Sequence, residues 1–177
     1  MRQPLNIVSI RALRPIAASA LVALLVACAP APIYKPDASI IAAAPAQVSA
    51  TPAQYRNAQV IWGGRVIAVR NFPDHSEIEL LDYPLDSSQR PRVKEPAAGR
   101  FIALMPGYVE SMDYPEGTLM TLRGTLAGVR AGKVGEADYA FPLVRVEQSH
   151  RWTPQEMEQG HPHVSFGVGV GVIGGIH

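Results

Sequence analysis

Gln59-Val-Ile-Trp-Gly-Gly-Arg-Val-Ile-Ala-Val69 is the stretch whose reading decides the fold. In an extended chain Val60, Trp62, Val66 and Ala68 share one face, the pattern of a strand with one side in a core. Gly63-Gly64 falls in mid-strand, where a bulge or a sharp barrel bend is expected because a Cβ would clash. Asn71-Phe-Pro-Asp74 is a turn. His75-Ser-Glu-Ile-Glu-Leu-Leu-Asp82 then alternates, with Ile78 and Leu80 inward and Glu77 and Glu79 outward, so the two runs form a hairpin.

Beyond this hairpin the chain continues as short strands between turn signals. Residues 83–99 are a long polar connection with three prolines, and Arg100–Met105 is a third strand. Pro106–Gly117 is a loop with room for one helical turn, and Thr118–Leu126 is a fourth strand interrupted by Gly124. Gly128–Gly135 is a turn, with a weak strand at most. Tyr139–Glu147 is a fifth strand whose Pro142 suits an edge or a bulge, and His150-Arg-Trp152 closes the domain. Five strands, glycines at the corners and no long amphipathic helix argue for an all-β protein. The early Gly-bent strand and the strand count predict a small five-to-six-stranded OB-like barrel over residues 55–152, with a sandwich as the competing architecture.

What precedes the barrel is of another kind. Residues 1–27 carry Arg2, Arg11 and Arg14, then an uncharged apolar run from Pro15 to Ala27. That is a secretory signal, too short to span a bilayer as a helix. It ends in the lipobox Leu25-Val-Ala-Cys28. A thiol is the group nucleophilic enough to take a diacylglyceryl chain, and Cys28 is the one cysteine of the chain, so Cys28 is the expected lipidation site. Each buried methylene contributes about 0.8 kcal/mol, and two or three long chains give a stable membrane anchor where one myristoyl does not. Residues 28–54 are rich in Ala and Pro and read as a disordered tether; in the alternative reading Ile33-Tyr34 and Ile40-Ile41 dock onto the domain. Thr51-Pro52 has the form of a helix N-cap followed by N1 proline. Residues 153–177 form a Gly-rich tail, with Gly and Val alternating from Gly167, that is either disordered or adds to a sheet edge.

Composition excludes some functions. Removal of residues 1–27 takes away three of sixteen Lys and Arg and none of fifteen Asp and Glu, leaving 150 residues with a formal charge of −2. Such a chain has no concentrated basic face to meet phosphates, so nucleic acid is not an expected partner. With Cys28 acylated no second thiol remains, and stability rests on the core rather than on disulfides.

Several pieces in order carry a family resemblance: Val60-Ile-Trp-Gly-Gly-Arg-Val-Ile, Glu79-Leu-Leu-Asp-Tyr-Pro-Leu-Asp, Gly99-Arg-Phe-Ile-Ala, Gly107 followed by Asp113-Tyr, Leu122-Arg-Gly-Thr-Leu, Tyr139-Ala-Phe-Pro-Leu-Val and His150-Arg-Trp. The chain resembles the Slp family of bacterial outer-membrane lipoproteins over the domain and the lipobox. The resemblance implies an outer-membrane lipoprotein, some of whose relatives are associated with starvation or stationary phase, and supplies no reaction. Ala29 after the cysteine, rather than Asp, agrees with sorting to the outer membrane.

The side chains offer little chemistry. His161-Pro-His163, with His150, His177, Glu156 or Glu158, makes an incomplete ligand set, so no metal site is expected. Glu77 and Glu79 read as the solvent side of a strand with Arg65 or Arg70 as cross-strand partners, not as an acid–base pair. No nucleophile elbow or phosphate loop accompanies the serines and glycines. The expected role is therefore a non-catalytic, membrane-anchored one without a cofactor, structural or stress-protective in the envelope. The alternative is a ligand- or protein-binding module serving an envelope complex, with Trp62, Arg65 and Arg123 as its candidate binding residues.

Overall fold

The computed structural model describes residues 31–158; Cys28 and the tail beyond Glu158 lie outside them. Five strands, β1 (Gln59–Asn71), β2 (His75–Asp82), β3 (Gly99–Pro106), β4 (Leu119–Val134) and β5 (Ala137–Trp152), form one sheet that closes on itself. The order round the ring is β1-β2-β3-β5-β4, and β3–β5 is the parallel pair, joined through Ile102–Leu104 and Leu143–Arg145. The OB-like barrel is thus borne out, and closure removes the free edges that a sandwich would retain. Two short helices flank it, α1 (Pro45–Ala50) before β1 and α2 (Pro154–Glu158) after β5.

β1 closes the ring by serving two partners. Gln59–Arg65 pairs with Thr125–Leu119 of β4, and Gly64–Asn71 pairs with Asp82–Ser76 of β2. The exchange occurs at Gly64, where a Cβ would run into the Leu81 carbonyl oxygen. The close approach predicted for the glycine pair is therefore present, but the bulge lies three residues on, between Val66 and Ala68. That extra residue reverses the alternation: Val60, Trp62 and Val66 are buried as expected, and beyond the bulge Val69 rather than Ala68 packs on the core.

Inside the ring Phe101, Ile78, Leu80, Met120 and Leu122 are fully buried, each worth roughly 1.5–3 kcal/mol of transfer free energy. Trp62 packs on Phe101 with ring centroids 5.1 Å apart. β2 occupies the residues its alternation predicts, and β3 extends the predicted strand by one residue at each end. The turn expected over 128–135 is not one. β4 and β5 run on as a ribbon to a tight reversal at Gly135, pairing Val134 with Ala137. Its glycines have other duties: Gly128 follows a bulge at φ +119°, and Gly132 lies over Phe141, whose ring would be 2.9 Å from a Cβ there. Pro142 lies beside that bulge, as its missing N–H predicts.

The ribbon also changes the partners of the β2 carboxylates. Glu77 is covered by Arg130 of β4 at 2.9 Å, and Glu79 by Arg100 of β3 at 2.7 Å. Arg65 and Arg70, the expected partners, make neither contact: a ribbon read as a turn gave no reason to bring Arg130 across β2.

For residues 33–58 the docked reading describes what is seen. Ile40 bridges Gln59, the Ile41 N–H donates to the Gln59 carbonyl at 2.9 Å, and Arg123 holds Asp37 at 2.8 Å. The Gln89 side chain brackets the Tyr34 backbone with two bonds of 2.8 Å. Proline does not prevent helix in this segment: Pro45 occupies the first turn of α1, where an N–H has no helical partner, and Val48 is buried against the barrel. A 3-10 turn over Pro52–Tyr55 follows Thr51, whose hydroxyl bonds back to the Gln47 carbonyl instead of capping it.

Candidate functional site

Where the docked segment crosses the barrel it borders an open, cavity-like depression of about 410 Å³. Ile41 and Ala43 of the segment form one wall, Ile61 and Trp62 of β1 a second, and Asp82 with Leu85 of the following turn a third. The Trp62 indole N–H donates to the Ala43 carbonyl at 2.7 Å, which fixes segment to strand. The turn after β2 is held in its own right, because the Tyr83 N–H donates to the Gly63 carbonyl at 2.9 Å and the Ala98 N–H to the Asp82 carbonyl at 3.0 Å.

Asp82 is the one acidic side chain of this lining. Its alternation partners Ile78 and Leu80 face the core, so the parity of β2 turns Asp82 inward as well. Both neighbouring strands place glycine beside it, Gly64 on β1 and Gly99 on β3, where the Leu81 backbone and, over Gly99, Pro45, Ala46 and the Tyr139 hydroxyl take up the space a side chain would need. The residue is 5% exposed, and its Oδ1 has no hydrogen-bond partner. Burial pushes its pKa up to about 8, only partly offset by the Gly63 backbone N–H that the carboxyl accepts. At neutral pH it is largely a carboxylic acid.

The residues singled out in the sequence do not converge here. Trp62 lines the cavity, whereas the Arg65 guanidinium stacks 5.7 Å above the Tyr83 ring. Arg123 is on the opposite edge of β1, holding Asp37 and, at 2.9 Å, the Gln59 side chain. Asp82 was overlooked because Tyr-Pro-Leu-Asp after it reads as a turn, although the period of two from Ile78 and Leu80 marks it as inward. Gln89 was overlooked too: its φ of +68° and its bonds to Tyr34 belong to a connection whose composition is that of a solvated loop. His150 lies 3.3 Å from Glu156 and edge-on to Trp152. His161, His163 and His177 lie outside the described residues. Among the described residues no three His, Cys, Asp or Glu side chains gather as a metal site, and no helix is long and apolar enough to cross a membrane.

The sequence model of the outer membrane lipoprotein Slp family matches residues 25–170, from the lipobox through the barrel and into the tail. The chain belongs to this family. The match is wider than the pieces that suggested it, since it takes in the docked segment as well as the strands. Among relatives, the uncharacterized lipoprotein YeaY of Escherichia coli is 34% identical over 106 residues, 60% of this chain and 54% of its own. An uncharacterized protein of Haemophilus influenzae is 35% identical over 92 residues, 51% of this chain and 50% of its own. The outer membrane protein Slp of Escherichia coli is 28% identical over 106 residues, 60% of this chain and 56% of its own. The chain thus spans about half the length of the curated relatives it matches. This Slp-family protein is a lipid-anchored lipoprotein of the outer membrane.

Proposed function

We propose that this Slp-family lipoprotein is a non-catalytic domain, acylated at Cys28 and held close against the outer membrane, with a structural or stress-protective role in the envelope. The observation that carries the reading is the docking of the segment after the lipobox. Tyr34, six residues beyond Cys28, is already bonded to Gln89 of the barrel. Six extended residues reach at most about 20 Å, so the barrel stays at the membrane surface instead of ranging from it. Burial of the Tyr34 phenol, whose pKa is raised to about 12, fits a permanent anchor point.

Gene deletion tests this, with entry of a normally excluded dye measured in stationary phase and after acid stress. Deletion is expected to raise entry, wild type to restore the barrier, and a version with twenty flexible residues inserted between Pro30 and Ala31 to restore it poorly. Unchanged entry on deletion would reject the protective role. The cavity beside Asp82 favours a second reading, in which the barrel is a binding module for a small ligand; saturable binding to the purified protein tests it.

A further inference from the structure

We propose that the end of the barrel crossed by residues 107–117 is the face that meets the bilayer, with Tyr108 and Met112 set into the boundary between headgroups and acyl chains. This docking rests on the acylated, membrane-held barrel of the reading above and adds which side chains touch lipid. The large apolar side chains exposed among the described residues are Ile33, Phe72, Tyr108 and Met112, the last two 67% and 86% exposed. Scattered singly they would need no explanation, but gathered at one end they mark a contact surface. Phe72 follows Asn71, whose side-chain amide donates to the Val109 carbonyl at 3.1 Å, so one hydrogen bond joins the neighbours of Phe72 and Tyr108. Met112 precedes Asp113, whose carbonyl accepts from Arg151 near the end of β5. The strand termini gather at this end too: β1 finishes at Asn71, β3 at Pro106 and β5 at Trp152, while β2 starts at His75 and β4 at Leu119.

The docked segment directs the anchor to the same end. Ile41 bonds Gln59, which faces Thr125 of β4; Asp37 holds Arg123; and the Tyr34 hydroxyl donates to the Thr121 carbonyl at 3.3 Å. Followed back toward Cys28, these contacts step down β4 to its start at Leu119, where the crossing loop joins it. Ile33 is thus the exposed apolar residue next to the anchor, and the five residues from Cys28 to it reach at most about 18 Å. Acyl chains on Cys28 hold this end toward the lipid and leave the β4–β5 reversal at Gly135 pointing away. Met112 gains by leaving water, and Tyr108 suits the headgroup level because its hydroxyl stays hydrated while its ring is buried. The acidic side chains here, Asp74, Glu110, Asp113 and Glu116, outnumber the arginines, Arg70 and Arg151. The partner is therefore a zwitterionic lipid surface met by apolar insertion, because an anionic one would repel this end.

The test uses the full acylated protein in phosphatidylcholine nanodiscs that contain a lipid with a nitroxide on its acyl chain, and reads which resonances the nitroxide broadens. The Met112 methyl and Tyr108 ring signals are expected to broaden beyond detection, while the Val134 and Gly135 amides at the ribbon tip keep their intensity. Met112→Asp, which sets a charge where lipid would be, is expected to cut the broadening of Tyr108 about twofold or more. Unchanged shifts of the strand amides show that this variant is folded. Replacing part of the phosphatidylcholine by phosphatidylglycerol at low salt is expected to weaken the broadening of Tyr108 and Met112. Sharp Tyr108 and Met112 signals in protein that stays with the discs overturn the proposed face and leave the acylated, membrane-held barrel standing. Equal broadening at the ribbon tip, or broadening of Tyr108 indifferent to Met112→Asp, overturns the face too. Stronger broadening in the anionic discs overturns the zwitterionic assignment. Protein that does not stay with the discs overturns the face and the membrane-held reading together.

Discussion

Replacing Asp82 by Asn should remove most of one pH dependence from the stability of the barrel. In the unfolded chain this carboxyl titrates at its ordinary 3.8; in the fold, burial raises it to about 8. Between those values the folded protein holds a proton that the unfolded chain has released, so folding becomes less favourable as pH rises. The contribution is complete below pH 3.8, declines by about 1.4 kcal/mol per pH unit, and is lost above the folded value. Over the whole window that is about 6 kcal/mol, comparable with the total stability of a small domain. Asn has nearly the same volume, can still accept from the Gly63 N–H through its carbonyl oxygen, and does not titrate. Urea unfolding of wild type and Asp82→Asn at pH 5, 7 and 9, followed by tryptophan fluorescence, isolates the effect, because titration of every other group cancels in the difference. The stability of the variant relative to wild type should climb with pH and then level off above about pH 8, making the variant the more stable protein at pH 9. A difference that stays flat from pH 5 to 9 would refute the reasoning, and with it the claim that this carboxyl is buried without a charged partner.

Gly64→Ala should destabilise by about 3 kcal/mol or more, read by urea unfolding, since its Cβ meets the Leu81 backbone, which cannot move without breaking the β1–β2 ladder. Trp62→Phe should cost about 1–2 kcal/mol and speed proteolysis within residues 33–55, because the Ala43 carbonyl loses the indole donor that fastens the segment. Arg130→Ala should cost about 1–3 kcal/mol by the same assay, because the nearly buried Glu77 keeps only His75, at 3.4 Å, beside it. Gln89→Ala should release the Tyr34 backbone, with faster amide exchange at Tyr34 and little change in the barrel strands.

How much of this is legible in the sequence depends on whether a residue's role is local. The alternation of His75–Asp82 carries its own strand, because the inward face needs Ile78 and Leu80 every second residue whatever packs on them. Gly63-Gly64 likewise announces a close approach, although the bulge itself sits at residue 67, where Val-Ile-Ala gives no cue. The 128–134 ribbon is not legible, since its glycines answer to Phe141 and to a bulge, both set by the partner strand. Docking of residues 33–58 depends on the Gln89 loop and on Gln59, partners 18 to 55 residues away in sequence. Asp82 is intermediate: its parity is written in β2, but its isolation comes from Gly64 and Gly99 on two other strands. The proposed acylation of Cys28 rests on the lipobox alone, a local signal that needs no tertiary context.

Mass spectrometry of the mature amino terminus tests the central claim, that acyl chains on one sulfur hold this barrel at the outer membrane. Protein extracted from the outer-membrane fraction should begin at Cys28, lack residues 1–27, and carry a diacylglyceryl group on that sulfur. An amino terminus at any other residue, or an unmodified Cys28 in membrane-bound protein, would contradict it.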